Sequence, residues 1–425
     1  MSGAMAGVGE SGERRVPERP LSGVRVIDLT RILAGPFATQ RLGDLGADVI
    51  KVEHPDGGDE TRRWGPPFYR GLSTYFFAVN RNKRSVAIDL KREEGKALLL
   101  RLLGATGSGA PEGWTADILC ENFRPGSLER LGFGWERLRE RCPRLIYCSI
   151  SGYGHEGLFC DRPSYDVIVQ GESGVMDVTG DPAGPPTKFG LSIADEAAGL
   201  CAVEGVLAAL YARQRTGKGE RVDISLFDSM ISLLAYQGQM WLAGGETPRR
   251  MGNAHPSIVP YETFRASDGY LNVGVGSEPL WARFCEALER PEWREDPRFL
   301  SNERRVRNRC ILKELIEERL SQAAAAEWCA RLERLGVPCG LVRTIPEALR
   351  RAEADTRGML VEVWHPEAGP VKMVGNPVRL KGWGSVPCRP PPRLGEHTHE
   401  VLRELGIEEA EIDRLVESRI VGGVR

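Results

Sequence analysis

Asp195 follows the apolar run Leu191–Ala194 and opens a long helical pattern, Asp195–Gln214. Two uses of that position compete. An aspartate there caps the helix, worth about 1 kcal/mol against alanine. The same geometry keeps a carboxylate ionised through the helix dipole and nearby amide donors, and an ionised carboxylate attacks a thioester carbonyl to form a mixed anhydride. Spacing alone favours the cap. Glu196 beside it reads as a first-turn acid, and Asp166 is a second candidate acid behind Tyr165. The loop Met251–Pro256, with a flexible Gly252 and a lone His255, offers backbone N–H groups that suit an oxyanion.

Cations gather at three places. Asn80–Arg84 precedes a strand pattern, Lys91 and Arg92 follow it, and Arg124 and Arg130 sit in and after Asn122–Gly126. At strand ends of an α/β sheet such groups suit an extended polyanion carrying an adenine; a solvated charged face leaves the same pattern. Lys and Arg total 57 against 59 for Asp and Glu, a formal charge of −2, which argues against a nucleic-acid partner. The turn Leu33-Ala34-Gly35-Pro36 joins a strand to a helix but lacks a Gly-x-Gly-x-x-Gly or Walker pattern, so NAD and ATP are disfavoured. The ten cysteines show no Cys-x-x-Cys spacing and the six histidines no zinc pattern. They read as reduced thiols in an intracellular protein, with no metal site. The best apolar run, Gly199–Ala212, is short and broken by Glu204, so no membrane span is expected.

These residues must be held by elements. Strand patterns fall at Val24–Leu29, Ala47–Val52, Val86–Leu90, Ile118–Glu121, Leu145–Ile150 and Val222–Leu226, alternating with helical patterns at Pro36–Leu45 and Glu93–Leu103. That alternation predicts an α/β domain on a largely parallel sheet. Pro260–Gly276 reads as a hairpin turning at Ser267-Asp268-Gly269, helical patterns dominate Pro279–Leu335, and a helix is expected over Glu396–Leu405. Gly104–Trp114 interrupts the alternation and reads as a surface loop insertion. At about 150 residues per domain, 425 residues allow two or three domains. Residues 1–20 are Gly-rich and acidic, and are expected to be a disordered lead-in that makes a poor presequence.

Taken together, seven segments in order resemble the class III (CaiB/BaiF-type) CoA-transferases: residues 20–62, 76–91, ENFRPGSLERLGF at 121–133, ISGYG at 150–154, GLSIADEAAG at 190–199, 215–229 and 390–406. Within that family RWGPPF, STYFFAVNRNK and GNAHPSIVPYETF look most like the branch acting on succinate with glutarate or hydroxymethylglutarate. The resemblance implies acyl-CoA and free dicarboxylic acids as substrates, no permanently bound cofactor, and Asp195 as the nucleophile. It matches CoA contacts to Leu33, Ala34, His54 (Arg in some relatives), Ile88, Asp89, Leu90, Lys91, Asn122, Phe123, Arg124, Arg130, Arg162, Pro163, Ser164 and Tyr165. Ile88 and Leu90 would then flank an adenine.

The implied fold is α/β: a discontinuous, Rossmann-like large domain with a parallel sheet (21–230 and 346–425) and a smaller α+β domain (231–345). Members form interlocked homodimers. By resemblance the compartment is mitochondrial, with the cytoplasm as the alternative. The sister branch, 2-methylacyl-CoA racemases, has a histidine where Tyr165 stands here; a phenol of pKa about 10 is a poor exchange base at neutral pH. A non-catalytic CoA-binding protein is the other alternative, and would tolerate loss of Asp195.

Overall fold

The computed structural model describes residues 19–383 and 388–423, so nearly all of the expected lead-in lies outside the described residues. The chain forms two compact units. One takes the described residues up to Ser173, Gly190–Leu234 and those from Arg357 on; the other takes Gly174–Phe189 and Ala235–Thr356. Residues 174–189 and 346–356, placed in the large domain by the sequence reading, pack in the second unit, and 231–234, placed in the small domain, pack in the first.

The first unit is mixed α/β, built on a seven-stranded sheet of β1 (Arg25–Asp28), β2 (Asp48–Glu53), β3 (Lys83–Ile88), β4 (Ile118–Glu121), β5 (Ile146–Ser151), β6 (Arg221–Ser225) and β7 (Val421–Gly422). Their spatial order is β7-β3-β2-β1-β4-β5-β6. All neighbours are parallel except β7, which lies antiparallel on β3. The central strands are buried along nearly their whole length, mostly with apolar and β-branched residues but with Lys51 in β2 and Lys83 and Arg84 in β3. Strand order reverses between β1 and β4. In an open α/β sheet that reversal leaves a crevice outside the carboxyl ends of the two strands, where ligands bind.

The main core joins Ile27, Ile50, Val86 and Leu119 of the sheet to Leu98, Leu99 and Leu102 of helix α1 (Glu93–Leu102). Val401, Leu402, Ile412 and Leu415, from two helices near the C-terminus, complete it. Gly104–Trp114 is better anchored than a surface insertion. Trp114 is 9% exposed within this core, its indole N–H donates to the Leu102 carbonyl at 2.9 Å, and the Arg25 guanidinium lies 3.8 Å over its ring.

The cluster Asn80–Arg84 is neither an anion site nor a solvated face. It leads into β3 and so lies at the amino end, opposite the crevice. Arg81 grips Asp44 through two bonds of 2.9 and 2.6 Å. Lys83 is buried on Asp28 (3.1 Å), the Pro36 carbonyl and Asn80. Arg84 reaches Asp48, Glu400 and Glu404. Beside them Lys51 is buried on Asp59 at 3.0 Å and on the Thr30 carbonyl at 2.7 Å. These charges tie loops and the C-terminal segment to the sheet.

The second unit holds the expected hairpin, Tyr261–Arg265 with Tyr270–Gly274, extended by antiparallel Cys339–Leu341. Helices including Glu278–Ala287, Arg309–Leu320 and Ala325–Arg334 cover it around Phe264, Trp281, Phe284, Phe299 and Trp328. No helix among the described residues is long and apolar enough to cross a membrane.

Candidate active site

At the reversal point the loops after β1 and β4 face each other and are fastened by Asn122. Its Oδ1 accepts the Arg31 N–H at 2.8 Å and its Nδ2 donates to the Arg31 carbonyl at 2.7 Å. The loop after β1 runs straight into the helix Ala34–Asp44. A Cβ on Gly35 would lie 2.3 Å from that of Thr30, so glycine is required for so tight an entry.

A cleft of ≈ 220 Å³ opens between these loops. It is lined by Leu33, Ala34, Asn122, Phe123, Arg124, Arg162, Pro163, Ser164, Tyr165 and Asp195, ten positions picked from the sequence. Arg31, Ile32, Pro125, Ile150, Ser151, Gly152 and Leu226 complete it. Arg31 could have been found by adjacency to Leu33. Ser151 ends a strand that reads as core, yet its hydroxyl is buried without a hydrogen-bond partner; a group on a ligand would satisfy it. Gly152 lets the Arg162–Tyr165 segment close in, since a Cβ there would fall on the Ser164 hydroxyl.

His54, Ile88, Asp89, Leu90, Lys91 and Arg130 do not line the cleft. His54 and Asp89 meet each other at 3.6 Å past the ends of β2 and β3. Ile88 is 1% exposed inside the core, and the partly buried Leu90 packs against that core. Lys91 and Arg130 are exposed, Arg130 bonding Ser127 Oγ at 2.9 Å. Of the cleft cations, Arg124 is exposed and makes no ion pair among the described residues, whereas Arg162 is held by Glu172 through both guanidinium nitrogens. Arg31 pairs with Glu60 at 2.7 Å.

Asp195 is not the helix cap. The helix α2 runs Ile193–Thr216 with Ser192 before it, which places Asp195 third within its first turn. The cap comes from Asp166, whose Oδ1 accepts the Ala194 N–H at 2.9 Å while Oδ2 accepts from Gln170 at 2.7 Å. One turn on, α2 is pressed against the helix Ala34–Asp44 at Gly199. A Cβ there would stand 2.8 Å from the Ala34 carbonyl oxygen and 2.9 Å from the Phe37 ring. That close approach hangs Asp195 over the cleft.

Among the described residues its carboxylate makes no hydrogen bond or ion pair. Burial first, then the charges of Asp166 and Glu196, push its pKa up to about 7. Asp166 takes the Ala194 N–H, one of the amides expected to hold Asp195 ionised, and adds a like charge. Tyr75, a residue not singled out from the sequence, responds to the same acids. Burial, then Asp195 and Asp166, push its phenol up to about 12, so it remains a proton donor.

Residues 21–398 match the sequence pattern of CoA-transferase family III. The chain belongs to this family. The succinyl-CoA:glutarate CoA-transferase of Mus musculus is 39% identical over 404 residues, covering 95% of this chain and 90% of that protein. The succinate–glutarate CoA-transferase of Agrobacterium fabrum is 40% identical over 392 residues, covering 91% and 96%. A solved CaiB/BaiF family protein from Brucella suis superposes with a TM-score of 0.79 at 41% identity, covering 91% of this chain and 99% of that one. As a CoA-transferase, the chain handles CoA thioesters.

Proposed function

We propose that this CoA-transferase moves CoA from succinyl-CoA, or a similar dicarboxylyl-CoA, to a free dicarboxylic acid such as glutarate or hydroxymethylglutarate, with Asp195 as nucleophile. The observation that carries the reading is the position of Asp195: in the cleft, half-buried, with no partner for its carboxylate among the described residues. The similar mouse and Agrobacterium enzymes point to the acids.

In the reaction the ionised carboxylate attacks the donor thioester carbonyl, the C–S bond breaks, and an aspartyl anhydride and CoA thiolate form. The thiolate attacks the aspartyl carbonyl and expels the donor acid, leaving an aspartyl-CoA thioester. The acceptor carboxylate attacks that thioester to give a new anhydride and thiolate. The thiolate then takes the acceptor acyl group and frees Asp195. Each step exchanges bonds of similar energy, so no nucleotide is consumed. Arg124 is suited to a CoA phosphate. His54, Asp89 and Lys91, which meet past the ends of β2 and β3, and Arg130 in the helical turn after β4 would meet CoA outside the cleft. Arg162 joins only by sharing or leaving Glu172.

The active form is proposed to be a homodimer. Exposed apolar residues support this, Leu200, Leu207 and Tyr211 on α2 together with Leu191, Ile168 and Val167. A reducing compartment, mitochondrial or cytoplasmic, accords with ten cysteines that are all free thiols. To test the mechanism, the enzyme is incubated with succinyl-CoA, trapped with hydroxylamine or borohydride, and mapped. An adduct at Asp195 is expected, and none in Asp195→Ala. Modification elsewhere, or full activity in that variant, would overturn the mechanism.

A further inference from the structure

Behind the cleft wall three side chains are joined that no step above uses. Glu121 ends β4 and stands in register with Ser149 on β5; both are buried. The Ser149 hydroxyl donates to Glu121 Oε1 and lies 2.5 Å from Nε2 of His155, which is itself 3.7 Å from the same Glu121 oxygen. Glu121 Oε2 accepts the backbone N–H of Phe123 at 2.9 Å. The backbone N–H of His155 donates to Asp223 Oδ2 at 3.2 Å, which anchors the loop that carries the imidazole. Phe123 and Arg124 line the cleft on one side, and Ser151 and Gly152, just before His155, line it on the other.

A serine between a carboxylate and an imidazole has one proton to give, so the chain has two complete arrangements. With Glu121 ionised, Ser149 donates to it and the Nε2–H of His155 donates to Ser149. With Glu121 protonated, the carboxyl O–H donates to Ser149, Ser149 donates to Nε2, and the imidazole proton resides on Nδ1. One proton reverses the direction of the chain, and Ser149 keeps both of its partners in either arrangement. Only the ionised arrangement gives Phe123 a charged, and therefore stronger, acceptor.

We propose that the Glu121–Ser149–His155 chain is a positioning element for the coenzyme, fixing the Phe123–Arg124 backbone against CoA and doing so more firmly when Glu121 is ionised. The proposal rests on the reading that the cleft binds CoA. The charges around the chain place its reversal near neutrality. Burial pushes Glu121 up to about 7, with Ser149, the Phe123 N–H and Arg221 opposing and Glu129 reinforcing. Burial also lowers His155, helped by Arg221 and opposed by Asp223 and Glu129, which keeps the imidazole neutral.

The test measures CoA binding by calorimetry between pH 6 and 8, in the full-length Asp195→Asn protein so that the other group titrating near 7 is removed. The parent should bind CoA about threefold or more tightly at pH 8 than at pH 6. Glu121→Gln keeps an acceptor for Phe123 and a donor for Ser149, so it should bind like the parent at pH 6 and lose the pH dependence. Ser149→Ala should weaken binding about tenfold at both ends of the range. With Asp195 restored, Ser149→Ala should raise KM for succinyl-CoA by a similar factor and leave kcat within about twofold. If Ser149→Ala fails to fold, the flat profile of Glu121→Gln decides alone. Parent-like pH dependence in Glu121→Gln, or a fall in kcat with unchanged CoA affinity in Ser149→Ala, overturns the proposal. A parent that binds no CoA at any pH overturns the CoA reading itself, which separates the two failures.

Discussion

Asp195 costs the fold stability, and the cost can be measured. Its carboxyl is displaced from an ordinary 3.8 to about 7, so the native state holds a proton that the unfolded chain has released. Below pH 4 both states are protonated and the residue costs nothing. As pH rises the unfolded chain ionises first, and the native state loses ground until Asp195 also ionises near 7; above that the cost is constant. Roughly 3 pH units at about 1.4 kcal/mol each give about 4 kcal/mol at pH 8, and about 1.5 kcal/mol at pH 5. Asp195→Asn is nearly isosteric and never ionises. It should be inactive yet more stable than the parent by those amounts. Urea denaturation followed by tryptophan fluorescence at pH 5 and pH 8 reads the difference. A variant no more stable than the parent at pH 8, or a gain that does not grow between the two pH values, would refute the argument that burial beside Asp166 and Glu196 strains this carboxylate.

The same displacement predicts that kcat/KM rises about tenfold per pH unit below 7 and levels above it, because only the ionised carboxylate attacks; a flat profile from pH 5.5 to 8 would count against Asp195 as nucleophile. Arg124→Ala should raise KM for acyl-CoA about tenfold with kcat held, and should blunt the salt dependence of KM, as steady-state assays at two ionic strengths will show. Gly199→Val drives side-chain carbon into the Ala34 carbonyl; melting should show a loss of about 1–3 kcal/mol, and kcat should fall as α2 shifts Asp195. Lys51→Met leaves Asp59 and Asp28 buried without that cation and should cost about 3–5 kcal/mol, read by denaturation against a Lys91→Met surface control.

Much of the architecture was legible because local pattern and tertiary role agree. Apolar runs marked the strands, although β3 begins at Lys83, three residues before its apolar run, because Lys83 and Arg84 are buried in ion pairs; the turn residues Ser267-Asp268-Gly269 marked the hairpin. The short β7 left no such mark, since two residues form a strand only because an edge of β3 lies beside them. Trp114 sat in a run of turn formers, and nothing local could say that its indole reaches back to Leu102.

The sequence by itself determined the alternation of strands and helices, the residue types around Asn122–Arg124 and Arg162–Tyr165, and an acid at 195 near the start of a helix. Tertiary structure decided which cations a ligand could reach. Asn80–Arg84 and Arg124 are equally basic as text, but one set lies at the amino end of β3, neutralised by Asp28, Asp44 and Asp48, and the other past the carboxyl end of β4 with no ion pair among the described residues. It also decided that Asp166 caps α2 and Asp195 does not. A side chain's charge is local, whereas its solvation and its neighbours are set by residues dozens of positions away, and those set its chemistry.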